Sequence, residues 1–439
     1  MQADTLIHAR WILPVEPAGI PPLPQHSLAI QDGRIIALLP SYEARTQCQA
    51  DQVVELPQHI LLPGLVNAHT HSPMSLLRGI ADDLPLMPWL QDHIWPAEAR
   101  WVSAQFVADG SRLAIAEMIR SGTTCFNDMY FFPDETARVA AQIGMRAVVG
   151  LILLDAPTIW AADAAGYLAQ AQRVHAALQD EPLITTTIAP HAPYTVSDAL
   201  LRDAQAHAAL PTRMHIHVHE TADEIQQSLT QHGIRPLQRL QQLGLLHDQM
   251  IAVHMTQLTA AEIAQLATTG THVVHCPESN MKLAAGACPA QQLLTTGVNV
   301  ALGTDGAASN NDLDMLGELH TAALFGKHIA QDAQALNAEQ VIRMATINGA
   351  KALGLGDQIG SLQPGKAADL IAVDLGQLAT QPVYHPESHL VYSATRDQVS
   401  DVWIAGQRQL ANGQLTHLDA STLQAQAKQW QARITATEP

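Results

Sequence analysis

Twenty-two histidines stand in a chain of 439 residues. Several lie inside strand-like apolar runs, where an unpaired imidazole is costly to bury. Asn67-Ala68-His69-Thr70-His71 closes one such run, and because alternate strand residues share a face, His69 and His71 project together. Two imidazoles side by side suit a metal ion; the plainer alternative is one buried and one solvent-bonded histidine. A second run, 214–220, puts His215, His217 and His219 on one face with the carboxylate Glu220 at its lip. Alternation alone does not choose among the three. His191, His254 and His275 follow other runs, and Gly303-Thr304-Asp305-Gly306 ends another with an acid that serves as metal ligand, general base or helix cap. Imidazoles and a carboxylate without thiolate point to zinc or a similar divalent ion with an open position for water. That is hydrolytic equipment, since such an ion makes water ionisable near neutral pH.

The elements that position these residues are legible as a rhythm. Eight apolar runs, at 65–71, 123–129, 146–153, 184–190, 213–220, 250–255, 271–277 and 298–305, alternate with stretches of helical pattern such as 106–121, 161–179 and 260–268. Eight strand–helix units predict an α/β fold, a (β/α)8 TIM-type barrel, and nearly every polar cluster falls at the C-terminal end of a run, where such a barrel builds its active site. Residues 1–62 read as short strands without helices, with a hairpin about Asp32-Gly33. Beyond a helix at 338–353, strands return at 369–374, 390–394 and 399–404. The expected organisation is a small β-sandwich domain formed by both chain ends (1–62 and 361–415), a catalytic barrel (63–360), and a C-terminal helix and tail (416–439).

Composition narrows the classes of function. Lys plus Arg is 23 against 41 for Asp plus Glu, a net charge of −18, and no basic cluster opposes that field, so nucleic acid and anionic membranes are poor partners. Cys48, Cys125, Cys276 and Cys288 form no CxxC pair, which disfavours a disulfide framework or thiolate zinc site and suits a reducing cytoplasm. No leader or membrane span is readable. Gly360-x4-Gly365-Lys366-Ala367 nearly spells a phosphate loop, but Ala367 replaces the hydroxyl residue and a strand follows where a helix must start. His219-Glu220-Thr221-Ala222-Asp223 lacks the second histidine of a zincin motif.

Taken together, Leu62-Pro63-Gly64 ahead of His69-Thr70-His71, the His217/Glu220 pair, His254, Asp305 and the segment 360–371 resemble the amidohydrolase superfamily over almost the whole chain. Pro190-His191-Ala192-Pro193-Tyr194, Asp128-Met129-Tyr130 and the segment 304–311 resemble its 5-methylthioadenosine/S-adenosylhomocysteine deaminases and their s-triazine hydrolase relatives. The resemblance implies His69, His71, His217 and Asp305 as metal ligands and Glu220 as the proton-shuttling carboxylate. It implies that His254 orients the attacking hydroxide and that Asp305 also takes the proton from the water that yields it. His191 and Glu98 match residues that meet the purine side and the ribose hydroxyls. Arg146 matches one arginine that faces the carboxylate of homocysteine-bearing substrates, while 155–160 offers no second. Binuclear members carry a lysine at the end of strand four; 184–190 has none, so the resemblance implies one Zn2+ per subunit, with Fe2+ as another candidate. The implied reaction is hydrolytic deamination of the 6-amino group of an adenosine derivative, 5′-methylthioadenosine before S-adenosylhomocysteine or adenosine. Guanine deamination or s-triazine amino- or chlorohydrolysis are the alternatives on the same barrel, and a non-catalytic scaffold is the remote one. The implied partner is a small-molecule purine nucleoside, with the chain itself a homo-oligomer (dimer or tetramer).

Overall fold

The structure is a computed structural model describing residues 1–436. Internal contacts divide it into two compact units, one made of Met1–Asn67, Ala116–Cys125 and Asp314–Leu418, the other of Ala68–Ile115, Phe126–Leu313 and the chain from Asp419 on. The first unit opens with strands β1 (Gln2–Ile12), β2 (Leu23–Gln31), β3 (Arg34–Pro40) and β4 (Gln49–Pro63). Asp32 and Gly33, both at positive φ (50° and 73°), turn β2 into β3, the paired left-handed geometry that a tight hairpin needs and that Asp-Gly supplies. The expected absence of helices here is corrected by one short helix, Ser41–Gln47. It buries Ala44 alone, so it leaves no apolar period to read.

Eight parallel strands follow: β5 (Leu65–Thr70), β6 (Thr123–Tyr130), β7 (Arg146–Leu153), β8 (Ile184–Pro190), β9 (Met214–Val218), β10 (Met250–His254), β11 (His272–His275) and β12 (Val300–Leu302). They lie side by side in sequence order, and helices such as Pro133–Ile143, Ala164–Ala177 and Ala260–Thr269 connect them. Every residue of β6 and β7 is buried, as strands covered on both faces must be. The last strand returns to the first: the Asp305 N–H donates to the His69 carbonyl at 3.1 Å. Gly303 permits that approach, since a Cβ there would sit 2.8 Å from the His69 nitrogen. The barrel expected from the eight runs is therefore present.

Several strands stop earlier than their apolar runs do. His219, His254, Met255 and Asp305 all take left-handed backbone, with φ of 56°, 73°, 49° and 63°. Such conformations cost energy in non-glycine residues and cluster where function requires them. They also turn the chain away from the ladder at the barrel mouth. The helix Ala420–Thr435 belongs to this second unit, where the Trp430 ring meets Phe106 edge-on at 5.2 Å and its Nε1 donates to Asp109 at 3.1 Å. The expected tail beyond residue 436 lies outside the described residues.

The chain then returns to the first unit as β13 (Leu370–Asp374), β14 (Val399–Ile404), β15 (Gln407–Ala411) and β16 (Gln414–Leu415). One eight-stranded sheet results, ordered β16-β15-β14-β13-β4-β1-β2-β3, with β13 antiparallel to β4 from Leu370↔Pro63 to Asp374↔His59. The sheet curls until its two turns touch: a Cβ on Gly406 would stand 2.7 Å from the Gly33 Cα. Ile7, Leu28, Leu61, Leu370 and Trp403 share the core so formed. The strand expected at 390–394 is instead the end of the helix Pro386–Tyr392, a five-residue apolar run being too short to distinguish the two. The helix expected at 338–353 breaks at Thr346 into Ala338–Met344 and Ile347–Ala352.

Candidate active site

At the mouth of the barrel, four strand ends aim imidazole nitrogens and a carboxylate at one point. His69 Nε2 lies 3.2 Å from His217 Nε2 and 3.2 Å from Asp305 Oδ1, and His71 Nε2 lies 3.2 Å from the same oxygen. The opposite nitrogens are already committed. His71 Nδ1 donates to the Met129 carbonyl and His217 Nδ1 to the His191 carbonyl, each at 2.6 Å. His69 Nδ1 shares a proton with His215 Nε2 at 2.9 Å. These bonds fix ring orientation and leave the Nε2 atoms directed inward.

Nitrogens and a carboxylate crowded this closely need a positive centre among them, a proton on His71 or a cation. Donors about 2.0–2.1 Å from a common tetrahedral centre stand roughly 3.3 Å apart, and the observed 3.2 Å spacings match. The donor set therefore fits a divalent cation. The ligand atoms of His69, His217, His254 and Asp305 all lie within 4.8 Å of one another, and His71 joins them through its approach to Asp305 Oδ1.

The second oxygen of Asp305 is held away from that point. Ser279 Oγ and Ser309 Oγ each donate to Oδ2 at 2.7 Å, which leaves Oδ1 to face the imidazoles. His254 is steered by Nδ1 donating to Asn280 Oδ1 at 2.8 Å, and its Nε2 stands 3.7 Å from Glu220 Oε1. Of the three histidines on β9 and its extension, the structure turns only His217 toward the cluster with a free nitrogen. His215 lies behind His69, and His219 Nε2 accepts the Leu237 N–H at 3.1 Å.

The electrostatics follow from burial. It pushes His69 down to about 3 and His191 down to about 4, keeping both rings neutral. Burial opposes charge on His71 as well, but the Asp305 carboxylate outweighs it and lifts that ring to about 9. Burial raises Glu220 above the usual carboxylate range, against the pull of His254, and raises Glu98 to about 7.

A cavity of about 880 Å³ opens above this cluster, and Glu98, His191, Glu220, His254 and Asp305 all line it. Arg146 does not. It opens β7, six residues and therefore roughly 20 Å before Ile152, which does line the cavity. The expectation that Arg146 contacts substrate is corrected by this placement: a side chain at the start of a barrel strand faces the end opposite the mouth. His275 ends β11 buried and outside the lining. Trp89 and Trp95 also line the cavity.

Residues 60–408 match the model of the amidohydrolase family. The chain belongs to that family. This amidohydrolase is 48% identical over 436 residues to a 5-methylthioadenosine/S-adenosylhomocysteine deaminase of Saccharophagus degradans, covering 99% of the chain and 97% of the relative. It is 42% identical to a 5′-deoxyadenosine deaminase of Methanothermobacter thermautotrophicus, over 93% and 95% of the two chains. Among solved structures, an adenosine deaminase from Xanthomonas campestris with bound zinc superposes with a TM-score of 0.98 at 53% identity, covering 99% of both chains. The amidohydrolase fold and its cluster of histidines with Asp305 support a divalent metal centre, with zinc the ion of that neighbour.

Proposed function

We propose that this amidohydrolase removes the 6-amino group of an adenosine derivative by hydrolysis, giving the inosine analogue and ammonia, with 5′-methylthioadenosine as the leading substrate. The observation that carries the reading is Glu220: a buried carboxylate beside the metal-type cluster, 3.7 Å from His254 Nε2 and facing the cavity. An acid that burial has raised is suited to hold a proton and release it to a ring nitrogen. The names of relatives at 42–48% identity, all deaminases of adenosine derivatives, support the same chemistry.

A divalent ion bound by His69, His71, His217 and Asp305 supplies Lewis acidity and makes water ionisable near neutral pH. The side chains divide the proton traffic. Asp305 accepts a proton from the attacking water as its oxygen bonds to C6, while Glu220 gives a proton to N1, where negative charge would otherwise build. His254, held by Asn280, directs the nucleophile. Asp305 then protonates the amine, the C6–N6 bond breaks, ammonia leaves, and Glu220 recovers its proton from the C6 hydroxyl. His191 faces the purine and Glu98 accepts from the ribose hydroxyls.

Substrate preference follows from the lining. Leu86, Trp89, Ile94, Phe131 and Ile159 make it largely apolar, and among the described residues its lining includes acids but neither lysine nor arginine. No lysine or arginine is available there for an amino-acid carboxylate, which favours 5′-methylthioadenosine and 5′-deoxyadenosine over S-adenosylhomocysteine. The reading also includes one ion per subunit, a homo-oligomeric cytoplasmic enzyme and no nucleic-acid partner; among the described residues no helix is long and apolar enough to cross a membrane. Ammonia release from a panel of 5′-methylthioadenosine, 5′-deoxyadenosine, adenosine, S-adenosylhomocysteine, guanine and an s-triazine tests it. Release from the first two is expected. Activity confined to guanine or the triazine would overturn the reading.

A further inference from the structure

Two helices in the second unit start with the same letters, Thr-x-x-Glu: Thr221 to Glu224 and Thr259 to Glu262. In both, the threonine hydroxyl accepts the N–H of the glutamate, at 3.2 and 3.3 Å. The glutamates then diverge. Glu262 closes the ordinary capping box by accepting the N–H of its own Thr259 at 2.8 Å. Glu224 reaches past Thr221 and takes the two N–H groups before it, Glu220 at 2.7 Å through Oε2 and His219 at 3.0 Å through Oε1.

That departure has a cause in the backbone. His219 is left-handed (φ 56°), which makes its N–H and that of Glu220 converge into a concave pair suited to an anion. The carbonyls of the same turn are tied from the opposite side. Thr256 Oγ1 donates to the Glu220 carbonyl at 2.7 Å, and the N–H groups of Thr256 and Gln257 donate to the His219 carbonyl at 3.0 and 3.2 Å. Glu224 is buried, as are His219, Glu220 and Thr256, so water does not substitute for these bonds. A conventional cap would leave the turn's two N–H groups to find other partners.

We propose that Glu224 is a positioning residue for the reaction: its carboxylate clamps the 219–220 turn and thereby aims the Glu220 carboxyl, with Thr256 gripping the turn from behind. The inference rests on the reading of Glu220 as proton carrier. Glu224→Gln keeps the shape but sets an amide NH2 against one of the two N–H donors. A displacement of the order of 1 Å at a reacting group costs about 100-fold, so E224Q is expected to lower kcat for 5′-methylthioadenosine about 10- to 100-fold, with KM within roughly threefold and metal content unchanged. Thr256→Val, a second variant with an intact Glu224, is expected to give a smaller loss of the same kind.

The deciding measurement is a double-mutant cycle with Glu220→Gln. If Glu224 acts through Glu220, adding E224Q to E220Q changes kcat by less than about twofold. An equal proportional loss in the E220Q background, or a loss in KM alone, would overturn the clamp while leaving Glu220 as proton carrier. Wild-type kcat in E220Q alone would overturn the proton-carrier reading, and the clamp's purpose with it.

Discussion

Histidines occur at both ends of the barrel strands, and they are used differently. At the mouth, His69, His71 and His217 each spend one nitrogen on a fixed partner and point the other at their neighbours. At the start of β11, His272 spends both: Nδ1 accepts from Asn299 Nδ2 at 2.9 Å and Nε2 donates to the Asp248 carbonyl at 3.0 Å. Burial holds all but His71 neutral. What separates the two sets is thus where the second nitrogen points, at the mouth toward neighbouring side-chain donors and at His272 toward a backbone carbonyl.

The contrast breaks most violently at its centre. Replacing His69 or Asp305 by Ala is expected to abolish stoichiometric metal and lower kcat by at least about 10⁴-fold, read by elemental analysis and ammonia release; a metal-replete, active H69A would refute the assignment of the cluster. Next in size, E220Q should keep its metal yet lose about 10²- to 10⁴-fold in kcat, the range for a general acid–base group.

Glu98 extends the contrast through pH. Its acid is raised to about 7 by burial, and the proposed role toward the ribose hydroxyls requires the ionised form. KM for 5′-methylthioadenosine should therefore rise by several-fold as pH falls from about 8 to 6, and E98Q should have a raised, pH-flat KM; an unchanged profile in E98Q would remove Glu98 from the ribose site. His272 gives the smallest effect and touches stability alone. Burial lowers its ring to about 4, below the unfolded value near 6.5. Between those values the unfolded chain binds a proton that the folded chain refuses, so its neutral ring contributes a loss of stability as pH falls from about 6.5 to 4. H272Q should shrink that acid limb by about 1 kcal/mol, or roughly 1 °C in Tm for a chain of this length, with kcat unchanged.

The barrel was readable because its strands are long apolar runs spaced by helices, and the site because His69, His71, His217, Glu220, His254 and Asp305 end those runs. Physical reasons account for what was hidden. Asn280 and Ser279 hold His254 and Asp305 from a six-residue helix, Pro277–Lys282, and an isolated Ser or Asn carries no periodic or motif signal. The choice among His215, His217 and His219 depends on backbone that turns left-handed at His219, which alternation cannot foresee. Arg146 illustrates the reverse failure: a residue type matched by motif at the wrong end of β7.

The antiparallel seam between β4 and β13 joins His59 to Asp374 and Pro63 to Leu370, so β4 must find a partner that is made long after it. At translation rates of about 5–20 residues per second, the intervening three hundred or so residues keep β4 waiting on the order of 15–60 s with one edge unpaired. An open strand edge is a template for unwanted pairing. During synthesis the nascent chain thus carries an aggregation hazard along β4 until β13 has been made and can cover that edge.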